Sequence, residues 1–147
     1  MPLTVELITA ERIVRVEPGV DALIVPGAEG QLAIYPKHAA LMTTLEPGEM
    51  VIRRAGQEDA FVVTGGFLEV KNDHITVLAD ASEAAEEIDI ARAEEARRRA
   101  EERIRRFREQ ADRDVDLARA QAALQRALLR LRVAEQRRRR TTGRPQV

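Results

Sequence analysis

The sequence predicts an α+β chain, in which a turn-rich β-sandwich is followed by an antiparallel two-helix hairpin. Three observations carry this prediction. Seven of the eight glycines and five of the six prolines fall within the first 66 residues, and neither type occurs between Phe67 and Thr142. Both residues punctuate the backbone, so a segment rich in them turns often and a long one lacking them can run as helix. Before residue 82, short β-prone runs are evenly spaced by turn signals. After it, apolar residues recur at helical spacing. The boundaries that follow are 1–84 for the sandwich, 85–136 for the hairpin and 137–147 for a basic tail.

The strands are read in order as Val5–Ile8, Ala22–Val25, Gln31–Tyr35, Met50–Arg53, Phe61–Thr64, Phe67–Val70 and Ile75–Leu78. The turns between them are Pro18-Gly19, Pro26-Gly27, Pro47-Gly48, Ala55-Gly56, Gly65-Gly66 and Asn72-Asp73. Such spacing favours a sandwich or barrel over βαβ units. Apolar–polar alternation is weak in Ile75–Leu78 and mixed in Phe67-Leu68-Glu69-Val70.

The first helix is expected to start near Glu83, capped by Ser82 or Asp80, with a second possible start at Asp89, and to run to about Glu109. Asp112 and Asp114, in the polar stretch that follows, are candidate caps for the second helix. There Leu117, Leu124 and Leu131 repeat at seven, with Ala120, Ala127 and Ala134 three residues after each. Three heptads favour an intramolecular hairpin over a long coiled coil. Alanine lets helices approach closely but buries little area, so the seam is expected to be detachable. The tail from Arg137–Arg140 to Val147 lacks apolar periodicity and is expected to be disordered.

Composition narrows the function. With 147 residues the chain has room for one or two small domains. It has no cysteine and two histidines, His38 and His74, which leaves a metal site short of ligands and excludes a thiol nucleophile. No apolar run approaches the length of a membrane span, and the N-terminus lacks signal-peptide character. A soluble protein retained in the cytoplasm is expected. The net charge of −1 hides an asymmetry: residues 1–84 carry 6 basic and 13 acidic side chains, and residues 85–147 carry 18 and 12. A basic C-terminal half suggests an acidic partner, whereas ordinary solvated helix surface accounts for much of the same pattern.

No catalytic constellation emerges. Gly27 and Gly30 lack the Lys-Ser/Thr pair and helix of a phosphate loop. Thr64-Gly65-Gly66 is a turn before a strand, not a nucleophile elbow. His38 reads as a loop residue held by hydrogen bonds. An Arg-rich helical nucleic-acid binder is the alternative from another class. Against it, the arginines are interleaved with Glu and Asp. Tyr35, Phe61, Phe67 and Phe107 are the only aromatic residues available for base stacking.

Val25–Leu41 (VPGAEGQLAIYPKHAAL), Thr64–Val70 (TGGFLEV), Ile75–Asp80 (ITVLAD) and Ala122–Glu135 (AALQRALLRLRVAE) together resemble the ε subunit of F-type, bacterial-like ATP synthases. The resemblance keeps order and spacing over about residues 3–136. It implies a flattened antiparallel β-sandwich followed by an antiparallel helix pair, and a non-catalytic rotor component of the proton-translocating machine. The sandwich would bind the γ subunit and rest on the c-ring, with Gln31 and His38 as candidate c-ring contacts. The helices would be permissive when folded and, when extended into the αβ catalytic head, would inhibit ATP hydrolysis. The location implied is the cytoplasmic face of a bacterial plasma membrane, peripheral to it. No cofactor is implied, but some family members bind ATP on the folded helices. The residues here that match their motif are Glu83, Ile88, Asp89, Arg92, Ala93, Arg126 and Arg130. The chain departs from the family at Lys37, where Gly is usual, and at Ala40, where Pro is frequent. Lys tolerates a positive φ less well than Gly, so the loop is expected to differ locally.

Overall fold

The structure, a computed structural model, describes residues 2–142. It contains ten strands: β1 (Leu3–Ile8), β2 (Ile13–Val20), β3 (Ala22–Gly27), β4 (Gly30–Ile34), β5 (Leu41–Leu45), β6 (Gly48–Arg54), β7 (Gln57–Val63), β8 (Gly66–Lys71), β9 (His74–Ala79) and β10 (Ser82–Ala84). A short 3₁₀ turn, Ala85–Glu87, precedes α1 (Ile90–Gln110) and α2 (Leu117–Thr142). The chain divides into two compact units, with the boundary between Ala85 and Glu86.

In the first unit the strands follow the order β10-β7-β6-β3-β5-β8-β9-β1-β2, with β4 paired to β3. β3 and β5 meet at the single pair Gly27↔Leu45. There the sheet folds over, and its halves enclose one core. One half contributes Leu23, Val25, Met50, Ile52, Phe61 and Val63; the other contributes Leu3, Val5, Leu7, Leu68, Val70, Ile75 and Val77. Alternation explains β1, β8 and β9: Leu68 and Val70 point inward while Phe67 and Glu69 point out. One pairing departs from the expected antiparallel pattern, because β1 lies parallel to β9 in register Val5↔Ile75. These strands are far apart in the chain, so no tight turn dictates antiparallel pairing.

Three strands were not legible. β2 contains Pro18-Gly19, which the sequence reads as a turn. As an edge strand β2 tolerates both, with Gly19 at φ 70 and a register shift against β1 between Leu3 and Val5. β5 pairs with β8 through Leu41↔Val70 to Leu45↔Gly66. β10 occupies Ser82–Ala84, where the first helix start was expected. Glu83 instead pairs with Val62, so the sheet claims this segment before the helix can.

In the second unit, Asp89 takes the extended conformation, and its carboxylate accepts the Arg92 amide at 3.1 Å, capping α1. Ala111 ends the helix in the left-handed conformation. α2 is capped by Asp116, whose carboxylate accepts the Arg119 amide at 3.1 Å. Asp112 and Asp114 are not the cap, since Asp112 closes a local turn by accepting the Asp114 amide at 3.0 Å. Ala93 and Ala100 of α1 and Ala120, Ala127 and Ala134 of α2 are buried, as are Leu129 and Val133. Arg137 reaches Glu86, just before α1, at 3.7 Å, as antiparallel helices require. α2 extends through Arg137–Arg140 to Thr142, into the stretch expected to be disordered. Arginine is a good helix former, so the helix needs no buried face to continue there. Residues 143–147 of that stretch lie outside the described residues.

Candidate functional site

The residues proposed for nucleotide binding fall on both units. Glu83 is half-buried on β10 in the first unit. Ile88, Asp89, Arg92 and Ala93 gather at the start of α1 in the second. Arg126 and Arg130 lie one turn apart and exposed on α2. The hairpin runs this stretch of α2 alongside the first turns of α1, so both helices contribute guanidinium groups to one body. Asp89 already has a structural job as the α1 cap. Ala93, at 2% exposure, fills the seam, so it governs how closely the helices approach. Arg92 is exposed and, among the described residues, makes no ion pair; the same holds for Arg126. Arg92 lies in the first turn of α1, at the helix N-terminus, and a guanidinium there can hold phosphate oxygens by charge-assisted bonds.

Gln31 and His38 do not form one surface. Gln31 sits at the Gly27–Gly30 turn, paired with Pro26. His38 lies beyond the far end of β4, where Ile34 pairs with Leu23. The two residues therefore mark opposite ends of the sandwich. Strand β4 separates them, in the run Gln31–Tyr35 that the residue pattern reads as a strand. The His38 loop is exposed, and the His38 Nδ1 lies 2.8 Å from the Ala39 carbonyl oxygen. Lys37 does adopt a positive φ, 67°, where the family usually has Gly.

Sequence reasoning missed an apolar stripe on the outer face of the sandwich. Phe67 is 55% exposed and pairs with Leu78, which is 50% exposed. Leu78 pairs with Ile8, and Ile8 with Ile13, which is 63% exposed. The stripe thus crosses β8, β9, β1 and β2. Its signal was present in the two irregular strands: Phe67 and Leu78 are apolar residues in the outward phase of strands whose inward phase is already apolar. A contiguous apolar band of this kind marks an interaction surface.

The charge on α1 is largely paired within the helix. Arg97 bridges Glu94 and Glu101, and Arg105 bridges Glu102 and Glu109. The hydrogen bonds that Arg97 donates to Glu94, aided by Glu101, raise the Arg97 pKa, and those that Arg105 donates to Glu102 raise the Arg105 pKa. In return, Arg105 holds the Glu102 carboxyl below its usual range.

Two family models cover nearly the whole chain. Residues 2–85 match the β-sandwich domain of the ATP synthase delta/epsilon chain, and residues 86–135 match its long α-helix domain. The chain is 54% identical over 99 residues to the ATP synthase epsilon chain of Dehalococcoides mccartyi, covering 67% of this chain and 70% of that one. It is 49% identical over 100 residues to the epsilon chain of Chloroflexus aggregans, covering 68% and 71%. A chain in a Euglena gracilis mitochondrial ATP synthase structure (OSCP, F1 and c-ring) shares the fold at a TM-score of 0.70 and 22% identity, covering 84% of this chain and 75% of that one. With a sandwich and a helical hairpin each matching in order, the chain belongs to the delta/epsilon chain family of ATP synthases.

Proposed function

We propose that this chain is the non-catalytic epsilon subunit of the central stalk in a proton-translocating F-type ATP synthase. The sandwich docks on γ and meets the c-ring through the exposed loop that carries His38, coupling the two. The helix pair inhibits ATP hydrolysis when it leaves its folded state and reaches the αβ head. The complex holds the subunit at the cytoplasmic face of the plasma membrane; among the described residues no helix is long and apolar enough to cross it.

The observation that carries this reading is the outer apolar stripe of exposed Phe67, Leu78 and Ile13 with half-buried Ile8 between them. A band of this size needs a partner, and a rotor subunit supplies one in γ. The fold neighbour from an F1/c-ring assembly supports the same placement. Replacing Phe67 or Leu78 with Glu puts a charge in the middle of that contact. Affinity for isolated γ should fall at least about tenfold, because central apolar anchors dominate interface energy. Calorimetric titration of γ with each variant provides the check, and unchanged affinity would remove the stripe as the γ-binding surface.

ATP is the proposed regulatory ligand of the folded hairpin, held chiefly by Arg92, Arg126 and Arg130. A ligand that binds only the folded state stabilises it by about 2.7 kcal/mol at 100 times its Kd. That is enough to choose between two conformations of similar energy. Replacing Arg92 or Arg126 with Ala should weaken ATP binding at least about tenfold. Calorimetry showing unaltered binding would refute the site.

A further inference from the structure

We propose that Asp73 is a positioning residue for docking: its carboxylate holds the Tyr35–Ala40 loop in shape by fixing Lys37 in the left-handed conformation. The proposal rests on the reading above that this loop contacts the rotor.

Pro36-Lys37 forms a turn, with Lys37 at φ 67°. Pro followed by a residue of positive φ suits a type II turn, which favours Gly in the second place. A lysine there is strained by its Cβ. The strain is met by one long-range bond: the Lys37 amide donates to Asp73 Oδ1 at 2.6 Å, across 36 positions of sequence. A bond from an amide to a carboxylate is charge-assisted and stronger than a neutral one.

Asp73 is itself well anchored. It lies in the two-residue turn between β8 and β9, with Asn72 at φ 50° and Asp73 at φ 62°, and Lys71 pairs with His74 across it. Asn and Asp are among the residues best suited to this geometry. The Asp73 carbonyl accepts the Thr4 amide at 2.9 Å, which ties the turn to the start of β1. The carboxylate therefore projects from a rigid corner of three strands onto a loop with little packing of its own. Tyr35 is 54% exposed, and residues 37–40 are exposed. The loop adds little to the core, so the shape of the surface it offers is what the bond determines.

Three substitutions in the full-length chain separate the roles. Asp73→Gly removes the carboxylate while giving the turn the Asn-Gly pair it favours. Asp73→Asn keeps an acceptor oxygen. Lys37→Gly removes the strain that the carboxylate offsets. Two quantities are read: amide exchange at residues 37–40, and affinity for a γ–c-ring rotor stripped of this subunit. In Asp73→Gly the Lys37 amide should exchange at least about tenfold faster and rotor affinity should fall severalfold, since a bonded amide is protected and a released one is not. Asp73→Asn should stay near wild type in both, and Lys37→Gly combined with Asp73→Gly should recover the affinity. Unchanged exchange in Asp73→Gly would overturn the clamp. Faster exchange with unaltered affinity in every variant would overturn the positioning role and remove this loop from the rotor contact. The γ assignment would then be judged separately, by the Phe67 and Leu78 variants.

Discussion

Gly66 is under the tightest backbone constraint in the sandwich. It lies at φ 130°, and a Cβ there would press into the Leu78 carbonyl oxygen and sit 3.0 Å from the Ala79 Cα. Backbone on that side cannot yield without breaking the β8–β9 pairing. Gly66→Ala should therefore cost at least about 2 kcal/mol, read as a lowered urea midpoint. The bond between Asp73 and Lys37 has a counterpart: Ala55 is at φ 51°, and its amide donates to Asp21 Oδ2 at 2.9 Å. Asp21→Ala should cost about 1 kcal/mol of stability through the same kind of lost bond, on the same denaturation assay. At this scale the sequence was informative where a residue type has a local job. The Asp89 cap and the Gly65-Gly66 turn were both legible. The carboxylates of Asp21 and Asp73 were not, because their partners are 34 and 36 positions away. Only the pairing of distant strands brings them together.

Among the elements, α1 differs most from a core helix. Its buried residues are Ala93 and Ala100, and its surface carries the Glu–Arg bridges. Such a helix takes part of its order from its own surface and little from apolar burial. Enlarging the seam should open the hairpin. Ala100→Leu overpacks a contact built for small side chains and should cost about 1–3 kcal/mol. Faster amide exchange in both helices would show it, with the sandwich unaffected. The bridges should respond to salt and acid. Arg105 lowers the Glu102 pKa, so that contribution is full above the usual glutamate value of 4.5 and is lost as pH falls through the lowered folded value. α1 should exchange faster in about 1 M salt, where the Debye length shrinks to about 3 Å. It should also loosen on acidification below the glutamate range. Element type was legible wherever period was clear, as in the Leu117–Leu131 heptads. It failed at β2, β5 and β10, whose pairing depends on neighbours that local pattern does not reveal. Gln31 and His38, seven positions apart, are separated for a related reason: β4 carries the chain along the sandwich between them.

The whole molecule is two bodies with opposite charge and different cohesion. The first has a closed apolar core drawn from both halves of the sheet. The second is held by an alanine seam with Leu129 and Val133. This asymmetry suits a fixed rotor piece carrying a releasable regulator, and the central claim is that the two functions divide along the same line. The most direct test is ATP hydrolysis by the matching catalytic head with γ, stripped of this subunit. Full-length chain and a version ending at Glu86 would be added back separately. Both should bind, only the full-length chain should inhibit, and high ATP should relieve the inhibition. Equal hydrolysis with the two versions would contradict this division, leaving the sandwich as a coupling piece and the helices without a regulatory role.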